Sequence, residues 1–396
     1  MIESYLLKNI SGYIDGQWVE ADSGDTVDVF NPANGKTLAA IPKMGKAETR
    51  RAIEAAKGAL AEPNDLETRR EWLEDIRDAL IDEKEEIGRI LCLEHGKPWK
   101  EAQGEVEYAA GFFDYCAKNI DILKPHELEE KAKDCTWTIH HRPIGVVGLI
   151  TPWNFPIGMI AKKIAPAIAA DCPSVIKPAT ETPLTMIAMF QLFHERLELP
   201  KGYVNLVMGS SSEIGGELTS SPDVPMLSFT GSTEVGKLLM EQSTDQVKKL
   251  GLELGGNAPF IVFDDADIDH ATTQLVGNKF RGGGQTCVCA NRIYVQSGVY
   301  KEFTDKLVDK VKALKVGDGM DEDIDVGPLI NKGGFEKVKN HVADALSKGA
   351  KLVAGKHPDE LDADKNLFYT PTVITGVTHD MACCKEETFG PLVPMI

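Results

Sequence analysis

From residue 142 to residue 254 the sequence alternates short apolar runs with longer stretches of helical periodicity, and no other feature of the 396-residue chain narrows its fold as much. Residues 145–150 are apolar throughout, the pattern of a strand covered on both faces, and residues 174–177 and 203–207 read as further strands. Around them, residues 157–170, 182–197, 213–220 and 232–242 space their apolar side chains at helical intervals, with further strands expected at 226–229 and 250–254. This order predicts an α/β fold on a doubly wound parallel sheet, with ligands bound at the carboxyl ends of its strands.

The flanks differ. Residues 13–21 and 27–30 read as strands with tight turns at Asp15-Gly16 and at residues 31–35. Helical spacing begins at Lys46, runs on through Trp72, Leu73, Ile76, Leu80, Ile87 and Leu91, and resumes over 100–116. Residues 121–142 end in the alternating run Cys135-Thr-Trp-Thr-Ile-His140, a hairpin that serves either as an arm for a second subunit or as plain surface. A second α/β block follows: strand 259–263, helix 268–280, a glycine-rich loop, strand 292–296, helices 300–314 and 334–348, and strand 351–354. The expected domains are 1–120 with 143–253, the hairpin 121–142, and 254–396.

A net charge of −18 argues against nucleic acid, because phosphate binding draws on clustered Lys and Arg. No apolar run has membrane-spanning length, and the first ten residues lack the basic start and apolar core of an export signal, so a cytoplasmic protein is expected. The eight cysteines are too sparse for a disulfide framework. The close pairs, Cys287 with Cys289 and Cys383 with Cys384, lack zinc-site spacing and the histidines form no cluster, so no metal is expected.

Four motifs carry chemistry. Gly284-Gln285-Thr286-Cys287-Val288-Cys289-Ala290-Asn291-Arg292, preceded by Arg281 and two more glycines, sets a thiol in backbone that a substrate can approach closely. A buried structural cysteine is the alternative. Gly231-Ser232-Thr-Glu-Val-Gly-Lys237 follows a strand and opens a helix, where amides can hold phosphate. It imitates a P-loop, but Leu238 stands where magnesium needs Ser or Thr, and an ordinary helix start fits equally. Glu253-Leu-Gly-Gly256 ends a strand; a lone Glu is most often a solvated charge, but its apolar neighbours favour a partly buried carboxylate suited to general-base work. Pro152-Trp153-Asn154-Phe155-Pro156 is either a turn with a capping Asn or an amide aimed at an oxyanion.

Together with Lys177-Pro178-Ala179, Phe229 to Gly236 and Glu386-Glu387-Thr-Phe389-Gly-Pro391, these motifs occur in the order and spacing of the NAD(P)-dependent aldehyde dehydrogenases, and from about Tyr13 onward the chain resembles that family. The loop around Cys287 is most similar to the succinate-semialdehyde branch. The resemblance makes 1–120 with 143–253 a dinucleotide-binding domain, 121–142 an oligomerisation hairpin of a homo-oligomer, and 254–396 a catalytic domain. It implies that Cys287 is the nucleophile, that Asn154 and the Cys287 N–H hold the oxyanion, and that Glu253 activates water. Trp153, Lys177, Gly209, Gly231, Ser232, Glu387 and Phe389 match cofactor positions. Thr180 stands where NAD-preferring members often carry Glu, which favours NADP over NAD.

Arg281, which alone reads equally as a surface arginine, matches one that the succinate-semialdehyde branch uses to grip the substrate carboxylate, and Lys162 replaces a second one, keeping charge but losing the bidentate fork. A small ω-carboxy semialdehyde is the expected substrate. Cys289 is either a packing residue or a redox partner of Cys287. Family members continue beyond the position of Ile396, so truncation is expected, with a catalytically impaired dinucleotide-binding protein as the alternative reading.

Overall fold

In the computed structural model, which describes residues 2–130 and 132–396, the alternating region builds a seven-stranded sheet. Its strands lie in the order Lys249–Leu254, Met226–Gly231, Val147–Ile150, Ser174–Lys177, Val204–Leu206, Gly12–Ile14, Gln17–Val19. Val147–Ile150 runs parallel to both of its neighbours, and Ser174–Lys177 is parallel to Val204–Leu206, whereas Gly12–Ile14 is antiparallel to the strands on either side. The chain first adds strands on one side of Val147–Ile150 and then returns to its other side. The strand order therefore reverses at that strand, and its carboxyl end is the switch point where open α/β sheets bind ligands.

The connecting helices are Pro156–Ala169, Leu184–Arg196, Ser211–Ser220 and Thr233–Gln242. Residues 184–193 are buried on every side, which their nearly unbroken apolar sequence requires. Val146, Val175, Val207, Leu218, Leu227 and Phe229 form part of one core cluster, with Leu250 and Leu252 packed against it. The long helical run expected from Trp72 to Leu91 is two helices, Leu66–Asp82 and Lys84–His95, because Glu83 leaves helical geometry between them.

The chain divides into two compact units. One comprises Met1–Val29, Ala39–Ile90 and Gln103–Glu253, and the other Phe30–Leu38, Leu91–Ala102 and Leu254–Ile396. The second unit thus includes two segments that the sequence groups with the first. Close backbone packing accounts for this: a Cβ on Gly96 would meet Pro328 and Pro32, and one on Gly327 would meet the Gly96 carbonyl.

Within the second unit, Pro259–Val262 pairs in parallel with Arg292–Val295. Thr372–Thr375 pairs antiparallel with Lys351–Ala354 and parallel with Leu392–Pro394. A bridge between Ile293 and Met395 connects these strands. Helices Ile268–Phe280, Tyr300–Lys312 and Lys332–Ser347 cover them. The expected hairpin is small: His126–Glu127 pairs with Thr138–Ile139, both strands exposed, and Lys131 lies outside the described residues. Among the described residues no helix is long and apolar enough to cross a membrane.

Candidate active site

In the first unit the candidate residues gather at the switch point. Trp153 and Asn154 follow Val147–Ile150, and Asn154 is buried. The helix after them starts with Pro156, whose fixed φ suits a first helical position. Its first free amides, on Ile157 and Gly158, both donate to Oε1 of buried Glu105 at 3.1 Å. A carboxylate at the positive end of a helix is favourable, so Glu105 anchors the turn that carries Asn154.

Lys177 ends the next strand. It is buried, its Nζ donates to the Pro178 carbonyl at 3.0 Å, and burial pushes its pKa down to about 8, against which Glu181 acts. Thr180 is half-buried. At the other neighbouring strand, Ser232 Oγ accepts from the Val235 amide at 3.3 Å as the cap of helix Thr233–Gln242, and a Cβ on Gly231 would strike the Phe229 ring. Gly209 has φ +123 and lies against the Met44 backbone, so packing alone demands a glycine there.

Glu253 corrects an expectation. It is exposed rather than partly buried, because Lys249–Leu254 is the edge strand and Leu250 and Leu252 turn to the core. Its Oε1 lies 3.2 Å from Lys162 Nζ. Among the described residues, Lys162 is also the single charged side chain lining an apolar groove of about 590 Å³ formed with Tyr108, Gly111, Phe112, Tyr115, Cys116 and Pro166. Neighbouring Lys163 is buried, donates to Ser228 Oγ at 2.8 Å, and is pushed by burial to a pKa of about 8, with the Glu253 charge opposing the shift.

The second unit holds the remaining candidates around one loop. After helix Ile268–Phe280, exposed Arg281 leads into Gly282, Gly283 and Gly284, all in the left-handed region at φ +58, +67 and +74. Three consecutive positions there are open only to glycine at low cost. The corner is tied by its neighbours: Gly282 N–H donates to Glu101 at 2.8 Å, Gln285 Nε2 donates to the Gly282 carbonyl at 3.0 Å, and Gln285 Oε1 accepts from Ile330 at 3.0 Å. Cys287 is half-buried beyond it, and Cys289 is fully buried.

Asn278 and Lys279, in the last helical turn, hold the far side of the loop. Asn278 donates to the Val288 carbonyl at 3.2 Å and accepts from the Ala290 amide at 2.7 Å. Lys279 bonds Asn291 and Cys289 from within the core. A Cβ on Gly284 would strike the Gly390 carbonyl, so the segment carrying Glu387 and Phe389 also packs on this corner. Gly255 leaves room for the Glu387 carboxylate, whose Oε1 accepts from the Gly256 amide at 3.3 Å, while burial holds the Glu387 pKa above the usual range. Phe389 takes φ +58, rare for an aromatic residue.

Glu105, Lys163, Lys279 and Gln285 escape sequence reasoning. Two of them leave a trace. Lys279 falls in register with Ile268, Thr272 and Leu275 on the buried face of its helix, and Lys163 does the same after Ile160. A lysine at an apolar-face position is a signal, since a buried ammonium needs a reason.

Residues 18–396 match the family model described as the aldehyde dehydrogenase family. The chain belongs to the aldehyde dehydrogenase family. It is 47% identical over 386 residues to glutarate-semialdehyde dehydrogenase of Pseudomonas aeruginosa, covering 97% of this chain and 79% of that one. It is 46% identical over 388 residues to the NADP(+) succinate-semialdehyde dehydrogenase of Escherichia coli, with 96% and 79% covered. Among solved structures, an oxidoreductase from Marinobacter aquaeolei superposes with a TM-score of 0.97 at 63% identity, covering 100% of this chain and 82% of that one.

This dehydrogenase is an NAD(P)-dependent oxidoreductase, and its switch point suits the cofactor. Lys177 spends one donor on Pro178, while the Thr151 and Thr230 hydroxyls, beside the strand ends, are buried and find no hydrogen-bond partner among the described residues. Such groups call for a polar ligand or water.

Proposed function

We propose that the dehydrogenase oxidises a small ω-carboxy semialdehyde to the free dicarboxylic acid, with NADP favoured over NAD. The observation that carries the substrate class is Lys162, among the described residues the one cation on an otherwise apolar groove. An aliphatic chain suits Tyr108, Phe112 and Pro166, and a terminal carboxylate suits the ammonium. The relatives named for glutarate and succinate semialdehyde take aldehydes of this shape. Lys162 and Glu253 are both well exposed, so their ion pair contributes at most about 1 kcal/mol and a substrate carboxylate displaces it readily. Arg281 provides the second positive charge.

In this reading Cys287 adds as a thiolate to the aldehyde carbon, forming the C–S bond and a tetrahedral oxyanion. The Asn154 amide and the Cys287 N–H donate to that oxyanion. NAD(P)+, when bound, would supply the hydride acceptor. As the carbonyl re-forms, Cys287 holds a thioester. Glu253 takes a proton from water, the hydroxide adds to the thioester, and the C–S bond breaks to release acid and thiol. An exposed Glu253 suits a base that must meet water. Lys177 orients the adenosine ribose, and Glu387 and Phe389 orient the nicotinamide end. Thr180 leaves room for a 2′-phosphate. The 126–139 hairpin, with Trp137 half-exposed, serves as a pairing arm between copies of the chain. No observation favours an impaired dinucleotide-binding protein over this reading.

The test follows absorbance at 340 nm with succinate semialdehyde, glutarate semialdehyde and butyraldehyde, for wild type and Lys162→Met, with each cofactor. Removing the cation is expected to raise KM for the two semialdehydes up to about fivefold, the worth of one partly screened charge contact, and to leave butyraldehyde unchanged. Equal effects on all three aldehydes, or a tenfold preference of the wild type for NAD, would overturn the substrate and cofactor assignments respectively.

A further inference from the structure

Lys279 is the least expected group around Cys287. Its side chain is wholly buried, and among the described residues it forms no ion pair. Nζ donates to Asn291 Oδ1 at 3.1 Å and to Cys289 Sγ at 3.5 Å. The Cys289 thiol in turn donates to the Gly284 carbonyl at 3.4 Å. Asn291 Nδ2 donates to the Gly256 carbonyl at 3.3 Å and the Cys289 carbonyl at 3.4 Å. One ammonium therefore reaches both ends of the loop, Gly284 through Cys289 and Asn291 directly, and Cys287 lies between these two anchors.

We propose that Lys279 is a positioning residue for the nucleophile, clamping the Cys287 loop from inside the core and setting a fixed positive charge on its buried side that favours the Cys287 thiolate. This rests on the reading of Cys287 as the nucleophile. A cation near a thiol stabilises the thiolate, and it does so more strongly where water is excluded. Two titratable groups act on Lys279 from other elements: Cys289 on the loop and Glu387 on the 386–391 segment, both favouring its charged form against the burial that opposes it. The apolar-face position of Lys279 gains nothing from an ammonium as packing, since methionine would fill the same space without desolvating a charge.

The test measures the pH dependence of iodoacetamide addition at Cys287 by peptide mass spectrometry, alongside kcat and KM, in the full chain. Lys279→Met keeps the length and removes the charge. Its alkylation midpoint is expected to rise by about one pH unit, with kcat falling about tenfold and KM changing less than about threefold. Asn291→Asp keeps the hydrogen-bond acceptor but sets a carboxylate against the ammonium, and its midpoint is expected to rise as well. A kcat loss in Lys279→Met with the midpoint unmoved means a merely structural lysine and overturns the proposal. Should Lys279→Met lack a cooperative melt, Asn291→Asp decides, and an unmoved midpoint again overturns it. Dehydrogenase activity in Cys287→Ala refutes the nucleophile assignment itself. An inactive Cys287→Ala beside unshifted Lys279→Met and Asn291→Asp profiles refutes the role of Lys279 alone.

Discussion

At the sheet, Ile150 stands in register with Lys177 on one side and Phe229 on the other, so Asn154, Lys177 and Ser232 leave the strands near one level. Backbone pairing sets most of that arrangement, with the Glu105 side chain holding the turn after Val147–Ile150. Around Cys287 no strand does so. The loop is held by side chains: Gln285 on Gly282 and Ile330, Asn278 on Val288 and Ala290, Asn291 on Gly256. Groups fixed by a ladder of backbone bonds survive the loss of one side chain, whereas groups fixed by a few buried polar side chains do not. Substitutions near the sheet should therefore change affinity, and substitutions under the loop should change turnover.

The sharpest break of this contrast is Gln285→Ala. Two buried bonds vanish and the Ile330 amide is left unsatisfied, while the Gly282 carbonyl keeps the Gln285 N–H, at about 2–3 kcal/mol. Turnover is expected to fall about a hundredfold while cofactor KM stays within about threefold, measured by steady-state kinetics. A raised cofactor KM with normal kcat would erase the distinction between the two regions.

Lys177→Met should do the reverse, raising cofactor KM about tenfold with little change in kcat. It also has a stability signature. Lys163 and Lys177 titrate at about 8 instead of 10.5. Below 8 the cost of burying each charge is fully present. Between 8 and 10.5 the unfolded chain binds protons that the folded chain does not, so these lysines make stability rise with pH, by at most about 3 kcal/mol each. Thermal melts across that range should show a shallower rise in Lys177→Met than in wild type, and identical slopes would mean that Lys177 does not feel its burial. The smallest effect is expected for Ser232→Ala, which loses a helix cap worth about 1 kcal/mol and should lower Tm slightly with kcat intact.

The same contrast explains what the sequence makes legible. Strand 174–177 and helix 268–280 coincide with the structure because their burial follows the strand and helix periods that the sequence repeats. Glu253 is exposed because apolar neighbours at alternate positions bury themselves, not the residue between them. The partners of Lys163, Glu105 and Gln285 lie 65, 52 and 45 residues away. No local pattern announces such pairs, and only a charged residue out of place on an apolar face hints at them. Cys287 itself was legible through its glycines and the family resemblance, while the side chains that shape its loop were not.

The triple-glycine corner has a consequence for how the molecule comes into being. A left-handed glycine turn has little shape of its own, and this one takes its form from Glu101, Ile330 and Gly390, far apart along the chain. It can set only after all three have arrived. The shape of the Cys287 loop should thus be among the last features a newly made chain acquires, and refolded protein is expected to regain its helical signal before its activity.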